Sequence, residues 1–153
     1  MRRVFFQWGR FSSLSAAEQR VLITAAIWLP VFWLCLRLLG LSRCLAHIQE
    51  MSSGRRAAMT VTEIHALGGL VNIAARHTLG PSSCLTRSVL LVWLLRRRGI
   101  ESALRIGVRF TQGALDAHAW VEYQDTPVND QLDVGAQFAS FGDLLPLHAF
   151  HAP

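Results

Sequence analysis

The spacing of the apolar residues changes at Gly99, and that change constrains the fold more than any other feature of the chain. Before it, the segment Cys84 to Arg98 is nearly all apolar from Val89 to Leu95, and a helix that is apolar on all sides is a buried one. The Arg residues at its end suit the negative pole of the helix dipole, and Gly99 supplies the stop. After it, Leu104, Ile106, Val108 and Phe110 alternate with Arg105, Gly107 and Arg109, which reads as a half-buried strand. Ala117 to Tyr123 alternates too, with His118, Trp120 and Glu122 on one face. Gln124-Asp125-Thr126-Pro127 reads as a turn, and Val128 opens a third strand. Helices first and an antiparallel sheet afterwards make an α+β fold, a central helix packed on a small sheet. The tail from Asp133 is irregular, with apolar anchors at Phe138, Phe141, Leu144 and Leu145.

The N-terminal part is helical. Ser15 and Glu18 form a capping box, and the helical pattern runs to about Leu39, bent near Pro30 and stopped at Gly40. A second short helix covers Ser42 to Glu50, and residues 51–56 read as a linker. Another helix starts at Thr62 and Glu63 and ends near His77, followed by a turn at Gly80-Pro81-Ser82-Ser83. The chain therefore divides into an apolar helical segment, 1–55, and a core, 56–153. The uncharged run Val21 to Leu36 spans 16 positions, short of the roughly 20 that a membrane-spanning helix needs. It lacks the layout of a signal peptide and reads as a buried or interfacial helix.

At 153 residues and 52% hydrophobic composition, the chain can bury a core without staples. All 15 basic residues are Arg. Residues 1–62 hold eight Arg against Glu18 and Glu50, whereas residues 63–153 hold seven against eight acids. A basic excess beside the most apolar stretch points to a membrane surface or an acidic partner. No nucleic-acid motif accompanies it. Three cysteines without a CxxC pair argue against a disulfide framework or a structural zinc and fit a reducing cytoplasm. Cys35 and Cys44, within and beside the apolar helix, read as inert core thiols. His148 and His151 lack the partners of a metal site, so neither metal nor cofactor is expected.

Cys84 is different. It opens the central helix, where the dipole and first-turn N–H groups favour a thiolate, and Ser82 or Ser83 can cap that helix. His118 lies early in a strand, a rigid platform for a general base, and such a pair needs a carboxylate to orient the imidazole. Two acids compete for that role. A two-residue turn at Asp125-Thr126 pairs His118 with Asp133, and a three-residue turn through Pro127 puts Asp130 on the His118 face; one residue of register separates them. Arg87, one turn into the helix, contacts substrate or makes an internal salt bridge, and the salt bridge is the favoured expectation. Trp120 either walls the cleft or packs in the core.

The segments Cys84-Leu85-Thr86-Arg87-Ser88, Leu95-Arg96-Arg97-Arg98-Gly99, Ile106-Gly107-Val108, Ala117-His118-Ala119-Trp120-Val121-Glu122 and Val128-Asn129-Asp130 together resemble the leader peptidases of lasso peptide biosynthesis, the B-type proteins of the transglutaminase-like superfamily. The resemblance is motif-specific from about 60 to 145 and only one of character before that. It implies a papain-like arrangement with Cys84 as nucleophile, His118 as base and Asp130 as orienting acid, with Asp133 as the geometric alternative. It implies a lasso precursor peptide as substrate, cut between leader and core, and an ATP-dependent lasso cyclase, similar to asparagine synthetase, that closes the ring. The first 60 residues are too apolar for the winged-helix-like domain of fused relatives, so a separate leader-recognition protein is expected, and the basic, apolar N-terminal surface could receive it or the cyclase. The implied location is the cytoplasm, with membrane association through the apolar helix. Three rivals stand beside this reading: an acyltransferase or transglutaminase using the same thioester, a non-catalytic scaffold for precursor and cyclase, and a small membrane-associated protein.

Overall fold

The computed structural model describes residues 14–51, 58–78, 82–111 and 113–140. Most of the expected linker, Gly80-Pro81 of the expected turn, the anchors Phe141, Leu144 and Leu145, and His148 and His151 lie outside these residues. Three helices come first, α1 (Ala16–Glu50), α2 (Val61–His77) and α3 (Cys84–Arg96). Strands β1 (Ala103–Thr111), β2 (Ala114–Tyr123) and β3 (Thr126–Pro127) follow, then the short helix α4 (Val134–Gln137) and β4 (Ala139–Ser140). All strand pairs are antiparallel, in the order β3-β2-β1-β4. The fold is α+β, as the change of spacing at Gly99 requires.

The helix starts are set locally. Ser15 Oγ accepts from the Glu18 N–H while Glu18 accepts from the Ser15 N–H at 2.8 Å, and Thr60 and Glu63 repeat this reciprocal pair ahead of α2. The hydroxyl of Ser15 and the N–H of Thr60 donate most to holding Glu18 and Glu63, respectively, below the usual carboxylate range. Helix α3 ends in a Gly99 turn at φ 70°, where the Ile100 N–H reaches back to the Leu95 carbonyl at 3.0 Å. That bond satisfies an end-of-helix acceptor and tucks the buried Ile100 under the helix.

Helix α1 keeps Pro30 inside and leaves helical torsions at Gly40 (φ 79°), the expected stop between its two helical stretches. The break has a covalent consequence. A straight helix would separate residues nine apart by about 13.5 Å. Instead the Cα atoms of Cys35 and Cys44 lie 6.6 Å apart and the two form a disulfide. This corrects the reading of both as inert thiols and, with it, the inference from unpaired cysteines to a reducing compartment: the stop at Gly40 was legible, but not the direction the chain takes after it.

Leu22, Ala25, Leu29 and Phe32 of α1, with Leu45 and Ile48 beyond the break, share one core with Ile64, Leu67 and Val71 of α2 and the apolar length of α3. Leu90, Leu91 and Leu95 are fully buried, each contributing about 2 kcal/mol relative to exposure. Helix α3 is thus central, covered by α1 and α2 and packed on β2, whose Val121 joins the same core with Val128. Helix α1 is not buried all round. It is long and apolar enough to cross a membrane by length and composition, yet only 22% of its most apolar window is buried.

Candidate active site

Cys84 is the first residue of α3. Ser83 is the N-cap: its Oγ accepts from the Thr86 N–H at 3.2 Å. Ser82 Oγ donates to the Ala75 carbonyl at 3.1 Å, tying the helix start to α2. Cys84 is half-buried and is the free cysteine of the chain. One turn on, Ser88 is fully buried and donates to the Ala119 carbonyl at 3.0 Å. Residues four apart share a helix face about 6 Å apart. The Cys84 end of α3 therefore lies within a turn of the strand residue that follows His118.

His118 sits in β2 opposite Gly107 of β1. Its ring is stacked at 22° with Trp120 and has Phe138 at 5.1 Å. A side chain at position 107 would collide with the Phe138 Cβ at 2.8 Å and the Trp120 ring at 3.0 Å; glycine lets both rings close around the imidazole. Trp120 is buried with Val134 and Phe138 in a small second core, and its Nε1 donates to Glu122, which pairs with Arg105 at 2.8 Å. It therefore packs in the core while flanking His118.

Asp130, and not Asp133, meets His118. His118 Nε2 and Asp130 Oδ2 are 2.6 Å apart, while Asp133 precedes α4 and accepts from Gln137 Nε2. Neither of the expected turns occurs. The turn is Gln124-Asp125, both at positive φ (49° and 59°), the two-residue hairpin type whose twist matches its strands. It pairs Glu122 with Pro127. Continued strictly, this register would set Asp130 opposite Ala119, on the wrong face for His118. Pairing instead stops once the Val128 N–H reaches the Val121 carbonyl. The Val121 N–H then goes to the side-chain oxygen of Asn129 at 2.8 Å, freeing the backbone to turn and carry Asp130 to His118.

Asn129 is the residue that sequence reasoning missed. Its Nδ2 donates to Ser88 Oγ at 3.0 Å, and its carbonyl accepts from Asn72 Nδ2 at 2.8 Å. One side chain thus joins β2, α3 and the Asp130 turn, with α2 held through Asn72. The available signal was Ser88, a hydroxyl in an otherwise apolar stretch that has to find a buried partner. Replacing Asn129 with Ala would leave the Val121 N–H unpaired and take from Ser88 Oγ the N–H it accepts, while its own bond to the Ala119 carbonyl remains. We expect a loss of about 2 kcal/mol of stability, read as a lower urea midpoint, with a kcat loss exceeding any rise in KM. Arg87 corrects another expectation: among the described residues it has no carboxylate partner. Its Nη1 donates to Asn72 Oδ1 at 3.3 Å, and its Nε is buried without a bond.

The structure thus brings His118 and Asp130 together and sets the Cys84 thiol at the head of α3 with no hydrogen-bond partner among the described residues. With a carboxylate on Nε2, that nitrogen carries the ring proton and Nδ1 presents a lone pair. Nucleophile–base contacts often tighten only with substrate in place. No cluster of metal-ligating side chains occurs among the described residues. A scan of family models matches residues 26–142 to the transglutaminase-like superfamily. The chain belongs to that superfamily. Neither the curated proteins nor the solved structures contain a match. Enzymes of the transglutaminase-like superfamily are generally cysteine-protease-like, and the match runs from within α1 through the whole helix–sheet unit that carries Cys84, His118 and Asp130.

Proposed function

We propose that this transglutaminase-like protein is a cysteine peptidase that removes the leader from a lasso peptide precursor, with Cys84 as nucleophile, His118 as base and Asp130 as orienting acid. The observation that carries the reading is the 2.6 Å His118 Nε2–Asp130 contact, on the strand packed against the helix that starts at Cys84. The motif resemblance from about 60 to 145 supports the substrate.

In the proposed reaction His118 Nδ1 takes the Cys84 proton and the thiolate attacks the scissile carbonyl. N–H groups at the start of α3 stabilise the oxyanion. The imidazolium protonates the leaving amine of the core peptide, leaving the leader as a thioester on Cys84. Water, losing its proton to His118, attacks that thioester; the leader departs as a carboxylic acid and the thiol is restored. The freed core amine is what a separate ATP-dependent cyclase would join to a side-chain carboxylate, and a small leader-recognition protein would deliver the precursor. This reading sets the reaction in the cytoplasm.

Asp130→Ala should lower kcat by on the order of 10²–10⁴, while Asp130→Asn should recover part of the loss, because an amide oxygen still accepts the Nε2 proton. Equal kcat for the Ala variant and wild type would remove Asp130 from the mechanism. The test of function is cleavage of the precursor encoded beside this gene, followed by mass spectrometry, with and without the leader-recognition protein. One cut between leader and core is expected. The superfamily match equally accommodates an acyltransferase, in which an amine resolves the thioester; a product of joined mass in place of two fragments would select it. No product with partner and cyclase present would favour a scaffold.

A further inference from the structure

Helix α1 turns one face to the core and the opposite face outward. The outward face carries Ile23, Ile27, Val31, Leu34 and Leu38, spaced four, four, three and four residues apart, with Ile27 60% and Leu38 70% exposed. These positions form a single stripe about 22 Å long. Exposed Arg20 stands at one end, exposed Arg37 beside the other, and no acidic residue occurs between Gln19 and Gln49. Thr24 is the one hydrogen-bonding side chain in Val21–Leu36 apart from the indoles and Cys35, so the stripe offers little of the polar rim that a specific protein interface uses. Residues 1–13 hold three Arg, three Phe and one Trp and no acid, the composition of segments that settle at a lipid interface.

We propose that the outward face of α1 docks this protein on an anionic lipid surface, its aliphatic stripe entering the acyl boundary and Arg20 and Arg37 reaching the headgroups. Long Arg stems suit that position, since they lie along apolar surface while the guanidinium stays wet. Each Arg near such a surface strengthens binding about fivefold. The helix lies along the membrane and does not cross it, because Leu22, Ala25, Leu29 and Phe32 are committed to the core. This inference is independent of the proposed peptidase activity.

The test is co-sedimentation of the full chain with vesicles of phosphatidylcholine alone or mixed equally with phosphatidylglycerol, at low and high salt, followed by alkaline carbonate extraction. Binding to the anionic vesicles is expected, weakened by salt and released by carbonate. The exposed-face variant Ile27→Asp/Leu34→Asp should bind at least tenfold more weakly, with unchanged circular dichroism and thermal unfolding. Should that variant not fold, Arg20→Gln/Arg37→Gln replaces it, with a smaller salt dependence expected. Absence of sedimentation with vesicles would overturn the proposal, as would binding that neither variant weakens or that survives carbonate. A dimer in solution that the Asp pair dissolves, without vesicle binding, would overturn it in favour of a second copy on the same face.

Discussion

Replacing Cys84 with alanine should lower the rate of precursor cleavage by on the order of 10⁴–10⁶, while far-UV circular dichroism and the unfolding midpoint stay close to wild type. The size follows from loss of the attacking atom: a nucleophile and its base act as a unit, and removing one forfeits nearly everything the unit supplies. The fold should tolerate the change because Cys84 is half-buried at a helix start, where its side chain fills little core. A companion measurement separates chemistry from substrate choice. Cys35 and Cys44 are paired in a disulfide, so iodoacetamide under native, non-reducing conditions should label Cys84 alone, and the labelling rate reads the nucleophile without any peptide substrate. Fast labelling with no precursor cleavage would retain the nucleophile and discard the peptide substrate. Slow labelling together with unimpaired cleavage by Cys84→Ala would discard the nucleophile.

The second large effect concerns two adjacent glycines in α2. By helix propensity alone, Gly→Ala in a helix interior stabilises by up to about 1 kcal/mol. Gly69 has open space where a Cβ would go, and Gly69→Ala should follow that rule. At Gly68 a Cβ would press into the Val128 carbonyl oxygen, with the Val128 carbonyl carbon at 2.9 Å and the Asn129 Cα at 3.1 Å. All of these are backbone atoms that cannot swing aside. Overpacking against a fixed wall costs about 1–3 kcal/mol, enough to outweigh the propensity gain, so Gly68→Ala should destabilise by about 2 kcal/mol. The displaced segment is the one that delivers Asp130 to His118, so kcat should fall as well, even in molecules that remain folded. Urea unfolding of the two variants side by side reads the contrast. Equal stabilisation by both would show that α2 does not abut the end of β3 as described.

The same segment shows why the orienting acid was only half legible. In the sequence, one residue of hairpin register separated Asp130 from Asp133 as the partner of His118. The actual hairpin turn, Gln124-Asp125, would by strict pairing put Asp133 on the His118 face and Asp130 on the opposite one. The choice is made by Asn129, whose side chain takes over a ladder bond so that the backbone can leave the sheet. Exchange of a main-chain partner for a side-chain partner leaves no periodic trace. Arg87 was misread for a related reason: an Arg near a helix start is ordinarily matched to a carboxylate, and here an asparagine fixed by its own bond to the Asn129 carbonyl occupies that place.

What the sequence determined by itself was whatever rests on neighbours within a turn or two: the capping box at Ser15, the Gly99 stop, the buried length of α3, the alternation of β1 and β2, and hence the α+β order. The residue types of a cysteine–histidine–carboxylate chemistry were visible too, because few other uses combine a helix-start Cys with a strand His. Tertiary structure alone decided the Cys35–Cys44 pairing, the meeting of Asp130 with His118, and the two-sided character of α1. Each of these depends on where the chain goes after a break in periodicity, at Gly40, after Val128, or where α1 meets α2 and α3. Past such a break the direction is set by long-range packing and hydrogen bonding, which local spacing does not encode.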